Sequence, residues 1–99
     1  MTKEEKEVYW KEHIENGFQA YTLPHYMKDG VILWVTRGID PGSFLMAVLE
    51  NDFVNAVFKA DSSNQAKLKE WAHFLYWHLP APCHGSIERV KVWKGLSDD

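Results

Sequence analysis

Hydrophobic and polar residues recur at helical spacing along most of the chain, and clusters of turn residues separate the segments. The first segment opens with Thr2-Lys3-Glu4-Glu5, the T-x-x-E form of a capping box. It closes at Asn16-Gly17, because glycine tolerates the left-handed conformation that commonly follows a helix. This pattern predicts a first helix over residues 3–16.

The segment from Pro24 to Gly38 has two interpretations. Residues 31–35 are rich in β-branched and aromatic side chains, which is typical of a buried strand. However, Pro24 suits the first position of a helix and Gly38 suits the position after its last turn, and the hydrophobic residues between them keep helical spacing. We favour a helix here, and a strand at 31–35 is the alternative.

The segment from Pro41 to Ala60 predicts one long amphipathic helix. Asp40 suits the N-cap and Pro41 the first helical position. At 100° per residue, one side carries Leu45, Leu49, Phe53, Ala56 and Ala60, with Met46 and Val57 beside them. The opposite side is a polar stripe of Asn51, Asp52, Asn55 and Lys59. A kink near Asn51 is the alternative to a continuous helix.

Two further helices are predicted in the last third of the chain. Ser62 and Gln65 form an S-x-x-Q capping box, and Pro80 ends the helix that follows. Its apolar seam consists of Leu68, Trp71, Ala72, Leu75 and Leu79. Trp77 points roughly opposite this seam, near His73 and Phe74. After a short loop, Ser86 can cap a final helix that carries Val90 and Trp93.

These segments predict an all-α fold of about five helices in a single domain over residues 1–99, with an α+β fold as the alternative. The chain has 45% hydrophobic and 25% charged residues, as expected of a soluble globular protein. Its five Trp, four Tyr and five Phe exceed what one small core needs, which suggests that some of them form a contact surface.

Charge and cysteine content narrow the range of functions. The net charge of −3 argues against a nucleic-acid binder, since such proteins usually carry a basic excess. The single cysteine, Cys83, excludes an internal disulfide and suits a reducing compartment. No apolar run approaches the ~20 residues of a membrane span, so no membrane association is expected and cytosolic is the default.

No residue set indicates catalysis, a metal or a cofactor. His73, His78, Cys83 and His84 resemble zinc ligands in type, but the two helical histidines are five residues apart and therefore about 140° apart around a helix. Cys83 has only its sequence neighbour His84 as a base, so an ordinary thiol is the simpler interpretation. We predict a protein that is not an enzyme.

Two groups of residues are candidates for binding. The first is the polar stripe of Asn51, Asp52, Asn55 and Lys59, whose simpler interpretation is the solvated face of an amphipathic helix. The second is Trp77 with His73 and Phe74, because an indole opposite the core seam must be covered by another part of the chain, a second subunit or a target.

Parts of the sequence resemble a group of short proteins encoded by tailed bacteriophages and prophages. The similar stretches are "GIDPGSFLMAVLENDF", "ADSSN", "FLYWHLP" and "GSIERVKVW", within about Pro24 to Lys94. The resemblance implies a phage context without a known chemistry. It also supports a helix before Gly38.

From these features we expect a non-enzymatic phage accessory protein in the host cytoplasm, which binds and inhibits or modulates a bacterial host protein such as a component of a defence system. The alternative is a binder of a small anionic ligand, for example a signalling nucleotide, held between the subunits of a homo-oligomer. Helix N-termini and stacking aromatic side chains would form that pocket.

Overall fold

The computed structural model describes residues 1–97, and within this range the regular secondary structure is entirely helical. The α-helices are α1 (Lys3–Tyr21), α2 (Lys28–Arg37), α3 (Ser43–Leu49), α4 (Phe53–Lys59), α5 (Ser62–Gln65), α6 (Leu68–His78) and α7 (Ile87–Val92). Short 3₁₀ turns occupy His25–Met27 and Ala81–Cys83. The all-α prediction is confirmed, and residues 31–35 lie in α2 instead of a strand. None of the described helices is long and apolar enough to cross a membrane.

The first helix begins as predicted and ends later. The Thr2 hydroxyl accepts from the Glu5 amide at 3.2 Å, and the Glu5 carboxylate accepts from the Thr2 amide at 2.9 Å. The predicted end at Asn16-Gly17 is wrong, since α1 continues to Tyr21 and its C-cap, Thr22, is left-handed.

Gly17 has a packing role inside α1. A Cβ at this position would lie 2.5 Å from the Phe74 ring and 2.8 Å from the His78 ring. Both rings belong to α6, so a residue without a side chain lets α1 and α6 approach closely. The two helices form the most extensive helix contact around the core, together with the contact between α3 and α4.

A Gly17→Ala substitution should lower the free energy of unfolding by about 1–3 kcal/mol, because the overpacked methyl group outweighs the better helix propensity of alanine. Thermal or urea unfolding followed by circular dichroism measures the change. Gly30→Ala in α2 is the matched control, since a Cβ there meets its nearest neighbour, Pro41, at 3.8 Å. The control should gain up to about 1 kcal/mol. Equal effects of the two substitutions would contradict the close α1–α6 contact.

The predicted continuous helix over 41–60 is two helices, α3 and α4, and the chain breaks at Asn51, where the alternative placed a kink. The Asn51 amide donates to the Val48 carbonyl at 3.1 Å and the Asp52 amide to the Ala47 carbonyl at 2.8 Å. With Asn51 left-handed at φ 64°, these bonds form a Schellman motif that ends α3. The Asp52 carboxylate then caps α4 by accepting from the Asn55 amide at 3.3 Å. The Asn-Asp pair is therefore a corner between two helices.

Other predicted helix starts need small corrections. Helix α2 begins at Lys28, after a 3₁₀ turn that follows Pro24, and Gly38 is its left-handed C-cap as predicted. Helix α3 begins at Ser43, because the Asp40 carboxylate accepts from the Gly42 amide in a turn instead of capping a helix at Pro41. The helix predicted between Ser62 and Pro80 is two helices, α5 and α6, and Asp61, one residue before Ser62, is the N-cap of α5. Ser86 caps α7 as predicted.

Edge-to-face aromatic contacts form the centre of the core. Trp71 is fully buried and lies 5.7–5.9 Å from the ring centroids of Phe18, Phe44 and Phe74. Its indole N–H donates to the buried Asn64 side chain at 2.9 Å. Because the only polar atom of this indole is satisfied, the ring can be buried without an unpaired donor. This core fixes the positions of α4 and of α6, whose outer side faces solvent.

Candidate functional site

An open cleft of about 470 Å³ lies between α4 and α6. Its walls are mainly apolar and are formed by Val48, Ala56, Leu68, Ala72 and Leu75. The two alanines, one on each helix, leave the space between the helices open. Phe53 from α4 and Tyr76 from α6 also line the cleft, and they are 71% and 72% exposed. The cleft is thus bordered on both sides by an aromatic ring that faces solvent.

The corner at Asn51-Asp52 explains why Phe53 lies at this border. On a continuous helix, Phe53 would share one side with Leu45 and Leu49, as the hydrophobic pattern predicts. The Schellman turn redirects the chain, so only Ala56 of α4 is buried. The prediction that Phe53 shares one side with Leu45 and Leu49 is wrong, and its exposed ring is available to a ligand.

Two predicted site residues, Asn51 and Asp52, line the cleft. The Asn55 side-chain amide and backbone amide donate to the Asp52 carboxylate, at 2.6 Å and 3.3 Å, and these bonds lower its pKa. Asp52 is therefore ionised at neutral pH. The other two residues of the predicted stripe, Asn55 and Lys59, are exposed on α4 but do not line the cleft.

His84 also lines the cleft, a role that no local pattern in the sequence predicts. The Gly85 amide donates to the Leu49 carbonyl at 2.8 Å, which fastens the loop before α7 to the end of α3. Burial, with a smaller contribution from Arg89, lowers the pKa of His84. Its imidazole is therefore neutral at pH 7, and a neutral ring offers one hydrogen-bond donor and one acceptor. Together with Lys69 of α6, His84 gives the cleft a limited polar character.

Trp77 lies beside the cleft and is 63% exposed. Its ring packs edge-to-face on Tyr76, with the ring centroids 4.7 Å apart. The prediction that Trp77 faces away from the core seam is confirmed, and most of its surface is exposed within residues 1–97.

Phe74, the predicted partner of Trp77, is a core residue. It is completely buried and contacts Phe18 and Trp71 edge-to-face. The prediction of an exposed Phe74 is wrong because α1 extends five residues further than expected and covers this side of α6. His73 is exposed, and its ring stacks on Tyr21 at the end of α1. His73 therefore lies on the side of α6 that faces α1.

The residues considered for metal binding or nucleophilic catalysis are dispersed. Burial raises the pKa of the Cys83 thiol to about 12, so the group is a neutral thiol and a poor nucleophile. His78 makes a 2.9 Å hydrogen bond through Nδ1 to the His13 carbonyl of α1. Within the described part of the chain, no three or more His, Cys, Asp or Glu side chains are grouped so that they could hold a metal ion.

Fold and site together define a small helical protein with an apolar cleft bordered by exposed aromatic rings. Comparisons with protein-family models, with curated proteins and with solved structures give no match. Function is therefore inferred from the chemistry of the cleft and its surroundings.

Proposed function

We propose that this chain is a non-enzymatic bacteriophage accessory protein, which docks a bacterial host protein on the cleft face and inhibits or modulates it in the host cytoplasm. The cleft face is defined here as the cleft lining together with Trp77. The observation that supports the proposal is the apolar cleft with Phe53, Tyr76 and Trp77 exposed around it.

The three rings present a large apolar area at one place. An aromatic side chain buries about 150–250 Å² when it is covered, so rings that are 63–72% exposed offer roughly 300–500 Å² together. The largest apolar patch on a typical monomer has about this size and is often functional. Trp and Tyr are also the residue types most enriched among binding hot spots. Docking of a protein surface would remove this area from water.

The polar groups of the cleft favour a protein partner over an anion. Asp52 is ionised and stands on the same cleft as Lys69, so a phosphate near the lysine would also meet a carboxylate. A neutral His84 adds no positive charge at pH 7. An apolar partner side chain, flanked by backbone or amide groups that bond to Asn51 and His84, matches the lining better.

The phage and host parts of the proposal rest on the sequence resemblance. Phage accessory proteins without a catalytic residue set act by binding, and components of host defence systems are among the candidate targets. The cleft face gives such a protein a surface that its own chain leaves uncovered.

Affinity capture from a lysate of bacterial host cells tests the proposal. The unmodified protein should retain one host protein in stoichiometric amount, and a Phe53→Ser, Trp77→Ser double variant should lose it because the apolar contact area is removed. In an activity assay of the purified captured protein, addition of the unmodified chain should change the activity, and addition of the double variant should not.

Val92→Ser is the matched control, since Val92 is 73% exposed on α7 and lies outside the cleft face. The control should retain the same host protein. Equal retention by the double variant, or no stoichiometric host protein at all, would contradict the proposed function.

A small ligand is a second candidate, because the cleft volume falls within the ~300–1,000 Å³ typical of ligand pockets and Asn51, Lys69 and His84 supply polar contacts. A panel of nucleotides in a thermal-shift assay tests it, since a ligand at 100 times its Kd stabilises the fold by about 2.7 kcal/mol. The absence of any shift would exclude the nucleotides tested.

A further inference from the structure

Two polar side chains of the cleft lack a hydrogen-bond partner. Asn51 and His84 line the cleft, and within residues 1–97 neither the side-chain amide of Asn51 nor the imidazole of His84 makes a hydrogen bond. Each of these groups offers a donor and an acceptor. A partner that covered them without bonding to them would leave both unsatisfied, which costs free energy. A well-matched partner therefore brings its own donors and acceptors into the cleft.

The charges of the cleft lining balance one another. Asp52 carries one negative charge and Lys69 one positive charge, while His84 is neutral at pH 7. A strongly charged segment of a partner would be attracted by one of the two charged groups and repelled by the other. The lining is thus complementary to a segment without net charge.

The dimensions of the cleft favour an extended segment over a helix. The α6 wall runs from Leu68 to Tyr76, eight positions and therefore about 12 Å along the helix axis. A helix of that length and about 10 Å across is a cylinder of roughly 900 Å³. The cleft has about 470 Å³, so a helix could insert only one face. An extended chain covers 12 Å with about four residues at ~3.3 Å each.

The backbone of an extended segment also supplies the hydrogen bonds that the cleft needs. In a helix the backbone N–H and C=O groups are bonded to one another, so only side chains would reach Asn51 and His84. In an extended chain these groups are free, and successive side chains point to opposite sides. One apolar side chain can then enter the space between Ala56 and Ala72 while the adjacent peptide groups face the two polar residues.

We propose that the cleft binds an extended, uncharged segment of the partner protein, with one aliphatic or aromatic side chain between Ala56 and Ala72 and with backbone groups bonded to Asn51 and His84. This inference rests on the docking function proposed above and specifies which kind of segment enters the cleft. Asn51 and His84 are the specificity-determining residues, and the exposed aromatic rings supply apolar contact area around them.

Titration of the ¹⁵N-labelled full chain with blocked peptides tests the proposal. The probe is acetyl-alanyl-leucyl-alanine amide, which has no charge and carries one apolar side chain. It should shift the backbone amides of Asn51, Phe53 and Ala72 with a Kd on the order of 1 mM, since a flexible peptide loses much of its contact free energy on ordering. Acetyl-triglycine amide should bind at least about tenfold more weakly, because it lacks the side chain that the cleft buries.

An alanine-rich helical peptide of about 20 residues, with leucines along one side, is the comparison for segment type. It offers the same apolar side chains, but its backbone groups are bonded internally. We expect it to bind more weakly than the leucyl peptide.

Two variants test the specificity-determining residues. His84→Phe keeps a ring but removes its donor and acceptor, and Asn51→Gly removes the amide but suits the left-handed φ of 64°. Each should weaken binding of the leucyl peptide about fivefold, the net contribution of one neutral hydrogen bond. His25→Phe is the matched control, since His25 is exposed and lies outside the cleft face. Its affinity should be unchanged, and the spectrum of each variant shows whether it is folded.

Three results would overturn the proposal: no shift of the cleft amides with leucyl peptide up to about 10 mM, an unchanged affinity in either His84→Phe or Asn51→Gly, or tighter binding of the helical peptide. The last result would assign a helix to the cleft. Capture of a host protein through Phe53 and Trp77 is measured separately and does not depend on these peptides. Failure of the inference and failure of the proposed function are therefore distinguishable.

Discussion

Phe74→Ala should lower the free energy of unfolding by about 3–5 kcal/mol, the usual cost of removing a buried phenylalanine ring. Phe74 is 0% exposed and is packed on Phe18, Trp71 and His78. The space left behind cannot collapse easily, because aromatic rings and the α1 backbone at Gly17 surround it. Urea denaturation followed by circular dichroism measures the loss.

Trp77→Ala is the internal comparison for this experiment. The two aromatic residues are three positions apart on α6, yet Trp77 is 63% exposed and its ring packs on the exposed Tyr76. We expect its replacement to change the free energy of unfolding by no more than about 0.5 kcal/mol, as for most surface positions. Similar losses for the two variants would contradict the orientation of α6 against α1.

The same Trp77→Ala variant should have a small effect on stability and a large effect on the affinity for the host protein. Once the captured host protein is identified, the substitution should weaken its affinity at least about 30-fold, which corresponds to the ~2 kcal/mol that defines a hot spot. The physical reason is that a large ring now exposed to water would be covered by the partner. Isothermal titration calorimetry with the purified partner gives the ratio of the two Kd values.

Tyr9→Ala in α1 is the aromatic control for the binding experiment. Tyr9 is 42% exposed and lies against Trp10 and His13, outside the cleft face. Its replacement should leave the affinity unchanged within about twofold, which is the ordinary effect of a residue outside an interface. A larger loss for Tyr9→Ala than for Trp77→Ala would move the docking surface to α1.

Local capping chemistry made several elements predictable from sequence. The Thr2–Glu5 capping box, the Ser86 cap and the Gly38 C-cap each depend on residues within one turn of the helix end, so the sequence contains the whole interaction. The exposure of Trp77 was predictable for a similar reason, because its position opposite the seam follows from the helical period.

Features that a continuous hydrophobic pattern conceals, or that depend on distant contacts, were predicted less well. The hydrophobic period of Leu45, Leu49 and Phe53 continues through the α3–α4 corner, so only a left-handed Asn51 distinguishes two helices from one. In the sequence, Gly17 is typical of a helix end. In the structure it lies inside α1, where the rings of Phe74 and His78 on α6 leave no room for a Cβ.

The cleft itself combines three separate segments. His84 reaches it only because the Gly85 amide bonds to the Leu49 carbonyl, a contact that no local pattern encodes. The tyrosine at 76 and the alanines at 56 and 72 likewise acquire their role only when α4 lies opposite α6.

A ¹H–¹⁵N spectrum of the protein titrated with its captured host partner tests the docking face most directly. The indole N–H groups of Trp34, Trp71 and Trp93 are hydrogen-bonded within the fold, so they serve as internal references. The Trp77 indole signal and the backbone amides of Phe53 and Tyr76 should shift or broaden first. Unchanged signals from these three residues, with shifts confined to α1 or α7, would contradict a docking function for the cleft face.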